Sequence, residues 1–167
     1  ADLSDGVLWR ANLSNAILTN ANLSGVRSGG IVGSPTLPTD WQLTSGYLIG
    51  PQANLTNAAL NNANLTGATL TNTTLTGATL TGATLTGATL TGANLHQALL
   101  PAAMPSLPVI NGAVVKVVDT LAVSGSVQVD TGGILSVTSD TFTTTGINMQ
   151  GGTVHGIFGL DLDEIGN

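Results

Sequence analysis

The chain has no cysteine in its 167 residues. That excludes a disulfide framework and any thiolate metal site. Charge is almost as scarce, at 7% of residues, and from Trp41 to Val115 there is no Asp, Glu, Lys or Arg. The only basic residues are Arg10, Arg27 and Lys116. A protein that grips nucleic acid needs a clustered basic patch, so nucleic acid is not an expected partner. Disorder goes with high charge and low hydrophobicity, and a chain that is 42% hydrophobic has neither property. No apolar run approaches the roughly 18 residues of a membrane span, and no signal-peptide pattern is present. The chain starts at Ala1 without an initiator Met, already in phase with the repeat described next, which suggests a processed product or a fragment.

What the chain has instead is a beat of five. Ten leucines stand five residues apart from Leu55 to Leu100, in units such as ANLTN, ATLTG and ANLHQ. The same beat opens the chain at Leu3, Leu8, Leu13, Leu18 and Leu23. A helix repeats near 3.6 residues and a strand near 2, so neither accounts for it. Repetition at a fixed period implies a stacked, quasi-one-dimensional fold.

One unit, Ala83–Gly87, shows how the beat works. Strand alternation sends Ala83 and Leu85 to one side and Thr84 and Thr86 to the other. Gly87 then permits a corner that other residues resist. No unit can bury its leucine alone. Coiling stacks successive units, and each buried Leu is worth about 1.5–3 kcal/mol.

The motif A(N/D/T)LXX resembles the pentapeptide-repeat family, over fifteen units and 75 of the 167 residues. The resemblance implies an all-β fold, a right-handed quadrilateral parallel β-helix with four units per coil. Leu55, Leu75 and Leu95 would then form one ladder, and Leu60, Leu80 and Leu100 another, at a coil spacing of about 4.8 Å.

Four regions follow. Residues 1–25 are N-terminal repeats and 53–102 are the main repeat block. Residues 26–52 break the beat and resemble an insertion found in some members of that family. Pro35, Pro38 and Pro51 mark a loop, with Gly29–Asp40 expected to protrude. Trp41–Ser45 and Gly46–Gly50 look like units rejoining the coil through Leu43 and Leu48. Residues 103–167 are β-rich without the beat. Runs such as VVKVV, LAVSGSVQV and GILSV resemble a parallel β-helix of the bacterial surface-protein kind. A continued β-solenoid is preferred there over an antiparallel β cap.

Candidate chemistry is sparse, and no catalytic, cofactor-binding or metal-binding residue is assigned. His96 should point to solvent without a carboxylate to orient it, and His155 has no evident partner. The tail acids Asp161, Asp163 and Glu164 lack a calcium-loop pattern. Paired threonines flank the inward leucines, as in Thr69/Thr71, Thr84/Thr86 and Thr89/Thr91. They resemble the ranked threonines of insect antifreeze solenoids, although they fall on all four faces. Some pentapeptide-repeat proteins mimic DNA and inhibit topoisomerases, which needs ranked carboxylates that the main block lacks.

The reading is therefore a non-enzymatic structural β-solenoid, a surface or extracellular fibre subunit that self-associates end to end, without a cofactor. Ice binding and DNA mimicry are the alternatives. Solenoid ends normally carry polar caps, and none is apparent before Leu3. The candidate assembly ends are Leu3 and Leu8 at one end, docking on Phe158, Leu160 and Leu162 at the other.

Overall fold

A computed structural model describes residues 1–109, 114–117, 121–124, 127–137, 142–144 and 147–156. Among them there is no helix, and the chain coils as a β-solenoid. In the main block each unit pairs in parallel with the unit twenty residues on: Asn54 with Thr74 and Thr74 with Asn94, Ala59 with Thr79 and Thr79 with Leu99. Asn64–Thr84 and Thr69–Thr89 complete the four walls. Four units per coil follow directly. Leu55, Leu60, Leu65, Leu70, Leu75, Leu80, Leu85, Leu90 and Leu95 are all at most 2% exposed.

Corners repeat as well. The fifth residue of a unit takes positive φ, for example 67° at Gly77 and 58° at Asn57. The turn closes by an i to i+3 bond such as Ala88 N to Leu85 O at 2.9 Å. Gly and Asn are the residues that tolerate this backbone region at least cost. Where Asn or Asp holds the second position, its side chain accepts the N–H two residues on. Ser4 N bonds Asp2, Ser14 N bonds Asn12 and Thr66 N bonds Asn64 in this way. The choice of Asn or Asp in the motif is thus a local turn device.

The first two coils obey the same register. Asp2 pairs with Asn22, β1 (Val7–Trp9) with β2 (Arg27–Gly29), Asn12 with Val32 and Ile17 with Thr36. The expectation of a protruding Gly29–Asp40 loop does not hold. Gly29 and Ile31 are buried, and Val32 and Thr36 are rungs of the wall. Prolines 35 and 38 sit beside a rung that needs only the Thr36 N–H, so they do not stop the coil.

The rejoining units are also different from expectation. β3 (Gln42–Thr44) and β4 (Tyr47–Ile49) form an antiparallel hairpin, Leu43 opposite Leu48. Its two-residue turn, Ser45–Gly46, has positive φ at both positions, as tight hairpins prefer. The hairpin lies between the two stacks of coils. Leu48 N donates to the buried Ser28 Oγ at 2.8 Å, and Ile31 N to Gly46 O at 3.0 Å. On the other side, Ala59 N donates to the Tyr47 hydroxyl at 3.0 Å, and buried Thr73 Oγ1 donates to Gly50 O at 2.9 Å. One wall alone passes straight through: Arg27 bridges Asn54, with Asn54 N bonded to Val26 O at 3.0 Å. The hairpin splits the core. Leu23, Val26 and Leu48 make a small N-terminal cluster, whereas the main cluster runs from Ile49 to Ile147.

Beyond the repeats the core is unbroken. β5 (Ala103–Met104), β6 (Leu107–Val109) and β7 (Val114–Val117) start three walls. β8 (Leu121–Val123), β9 (Val127–Asp130) and β10 (Ile134–Val137) stack on them in parallel. β11 (Phe142–Thr144), β12 (Ile147–Gln150) and β13 (Thr153–Gly156) stack again. The solenoid continues, and among the described residues its strands stack in three sheets. Leu107, Val109, Val115, Val127, Val129 and Leu135 are fully buried along them.

Candidate functional site

The most distinctive surface is the edge of the first coil. Register explains its chemistry. In the second coil, Asn22 N bonds Ala1 O and Asn22 O accepts from Leu3 N; Val32 and Thr36 do the same with Ala11/Leu13 and Ala16/Leu18. Both backbone groups of a second-position residue therefore point toward the coil beneath. In the first coil those residues are Asp2, Val7, Asn12 and Ile17, one on each wall. Their N–H and C=O groups face away from the second coil, and no described residue bonds them. Such a row is a template for strand addition.

Side chains at this edge are open too. Leu3, Leu8 and Leu13 are part-exposed, unlike the sealed leucines of the main block. Val7 is 62% exposed, Trp9 54% and Ile17 81%. The Trp9 ring lies over Gly29 and meets Tyr47 edge-on at 6.4 Å. At the corners stand Asp5 and Arg10, both exposed, both at φ 55°. The Asp2 carboxylate accepts from Ser4 Oγ at 2.7 Å and Ser4 N at 3.0 Å, and these bonds hold its pKa below the ordinary value. Leu3 and Leu8, the N-terminal assembly residues expected from the sequence, lie part-exposed in the first coil. Phe158, Leu160 and Leu162 lie outside the described residues, as do Asp161, Asp163 and Glu164.

His96 differs from the sequence expectation. It is half-buried, and its Nδ1 accepts the Val114 N–H at 3.0 Å. Beside it Gln97 N donates to Val114 O, also at 3.0 Å. A backbone N–H can only donate, so the imidazole proton stands on Nε2. His96 splices the last repeat coil to β7. No sequence signal marked this, because the partner is a backbone group eighteen residues on. His155 is exposed on β13, paired in register with Ser136.

The threonines stack unevenly. Thr69 lies under Thr89, but Thr84 covers Asn64, and Thr74 stands between Asn54 and Asn94. At the second position of the unit, one wall carries threonine on threonine, two rungs deep. A recess of about 450 Å³ opens where the repeats meet the three stacked sheets, lined by Thr86, Gly87, Met104, Pro105, Ala122 and Ser124 among others. It holds no titratable side chain. Among the described residues no group of three His, Cys, Asp or Glu could hold a metal ion, and no helix is long and apolar enough to cross a membrane.

Residues 1–27, 52–87 and 70–103 match the family model for pentapeptide repeats, in 8 copies. No curated protein and no solved structure matches the chain. All the matched residues lie in coils with the twenty-residue register and positive-φ corners, and those of 52–103 also carry the sealed leucine ladders. Residues 1–27 and 52–103 are thus pentapeptide repeats of that family.

Proposed function

We propose that this protein is a non-enzymatic structural solenoid whose coils associate end to end, as a fibre subunit at the cell surface or outside the cell. The observation that carries this reading is the wall of the main block, where parallel rungs repeat every twenty residues over a sealed leucine core. It is uncharged from Trp41 to Val109 and built of Thr and Asn, so neighbouring subunits meet no charge repulsion along their length.

Negative-stain microscopy of the native material tests it. Long particles of uniform width are expected, unchanged by salt, because apolar contact and ladder bonds screen little. Dispersed single particles at all concentrations would overturn it.

A further inference from the structure

We propose that His96 is a pH-sensitive latch between the repeat coils and the C-terminal sheets. It holds their joint while its ring is neutral and releases it when the ring takes a second proton.

The joint is narrow. Within the main block each coil is tied to the next on all four walls, by Leu55 N to Thr74 O, Leu60 N to Thr79 O, Leu65 N to Thr84 O and Leu70 N to Thr89 O. At the last repeats the pattern stops. No described residue accepts from Leu85 N or Leu90 N. Pro101, Pro105 and Pro108 fall in the stretch that follows, and none has an N–H to give a rung. Among the described residues, the hydrogen bonds that join the chain up to Leu100 with the chain from Ala102 on both end on Val114. Gln97 N donates to its carbonyl, and its own N–H donates to His96 Nδ1, each at 3.0 Å. The recess of about 450 Å³ lies at the same joint, with Thr86 and Gly87 from the repeats and Met104, Val123 and Ser124 from the sheets. The apolar core runs across the joint, so the two parts can loosen there while each stays folded.

The latch is a matter of lone pairs. A backbone N–H can only donate, so Val114 needs an unprotonated Nδ1. The charged imidazole carries hydrogen on both nitrogens and offers no acceptor. Val114 then keeps only its bond from Gln97. Histidine is the side chain whose charge ordinarily changes between about pH 5 and 8. In every unit from Leu55 to Leu90 the residue after the leucine is Thr or Asn, which do not titrate there, and at the joint it is His96.

The surroundings leave the response to His96 itself. Its own unit brings Gln97 and Asn94, whose Oδ1 accepts His96 N at 3.0 Å. The coil beneath brings Thr74, Thr76 and Gly77, with Gly77 N on His96 O. None of these titrates. β7 carries Lys116, and Asp119 after it lies outside the described residues. β10 carries no charge, and His155 stands one strand further, on β13, in register with Ser136.

The absence of cysteine lets the full chain be labelled at chosen places. Thr86 and Ser124 are exposed and line the recess from its two parts, so Thr86→Cys and Ser124→Cys together carry a spin-label pair across the joint. Between about pH 8 and about pH 5.5, the Val114 amide signal should move with the same midpoint as the His96 ring signals. Its protection from exchange, relative to the intrinsic rate at each pH, should fall by about tenfold. The label distances should broaden and lengthen, and return when the pH is restored. His96→Asn puts an oxygen that does not titrate where Nδ1 stands, and should make both readouts independent of pH. His155→Asn should leave the parent response intact.

A Val114 amide and label distances that stay unchanged while His96 titrates would overturn the latch. So would a His96 ring that stays neutral throughout, or a response that survives in His96→Asn. The parent titration decides the matter alone if that variant does not fold. Loss of the β-sheet circular dichroism of the whole chain over the same range would also overturn it, since the opening would then be global unfolding.

Discussion

Asn57 lies beside Gly77 at the same corner of successive coils, and a Cβ on Gly77 would stand 2.3 Å from the Asn57 side-chain oxygen. The same pairing recurs at Asn62/Gly82 and Asn72/Gly92. At Gly87 the corresponding space is open. Gly77→Ala and Gly87→Ala both strain a positive-φ corner, by about 1 kcal/mol. Gly77→Ala should cost more, because the Asn57 side chain must also swing away. The difference in melting temperature should vanish in an Asn57→Gly background. If it persists there, the contact is not its cause.

Leu85 is 2% exposed and Thr84 beside it is exposed. Leu85→Asp buries a charge that no base of the block can pair, so a loss of several kcal/mol and collapse of the coil is expected. Thr84→Asp should stay within about 0.5 kcal/mol of the parent. Thermal melts of the two variants check the inward and outward assignment.

Ser28 is 2% exposed, and its hydroxyl accepts the Leu48 N–H. Ser28→Ala leaves that buried donor without a partner, at a cost of about 1–3 kcal/mol. The loss should fall on residues 1–50 first, since their core cluster is the smaller one. Hydrogen exchange would show it as faster exchange there than at Leu65 or Leu85. Deleting Gly33–Asp40 should unfold the first two coils, because it removes the Thr36 rung.

His96→Ala removes the acceptor of the Val114 N–H. A loss of about 1 kcal/mol is expected, read as faster exchange at Val114 with the ladder from Leu55 to Leu80 unchanged. Equal loosening of the whole solenoid would mean that His96 acts by packing rather than as a splice.

Asp2 has its carboxyl pKa lowered from the ordinary 3.8 by its bonds to Ser4. A folded value below the unfolded one means that the bonds contribute stability above about pH 3.8, lost as pH falls through the folded value. Asp2→Asn copies the turn already made by Asn12 and Asn22, so it should keep the first coil and abolish this acid dependence. Proton titration of the Ser4 amide signal follows it directly.

Much of this was legible from residue order. The beat of five requires coils, and coils of four units put Leu55, Leu75 and Leu95 in one column. Alternation assigns Thr84 to the outside and Leu85 to the core. These features repeat, and each rests on neighbours a few residues away, so local chemistry suffices to read them.

Tertiary structure decided what repetition does not govern. Prolines 35, 38 and 51 suggested a loop, but a coil wall asks for only one backbone donor per rung, and Thr36 supplies it. Leu43 and Leu48 kept the five-residue spacing, yet Ser45–Gly46 favours a tight hairpin, and Ser28, Tyr47 and Thr73 supply bonds that hold it between the stacks. His96 became a splice because β7 passes over it. Past Pro101 the glycine rhythm of the corners ends, and the described strands stack in three parallel sheets. Periodicity determines a fold when every unit sees the same surroundings. Where the surroundings change, contacts far apart in the chain take over, and only the folded arrangement brings them together.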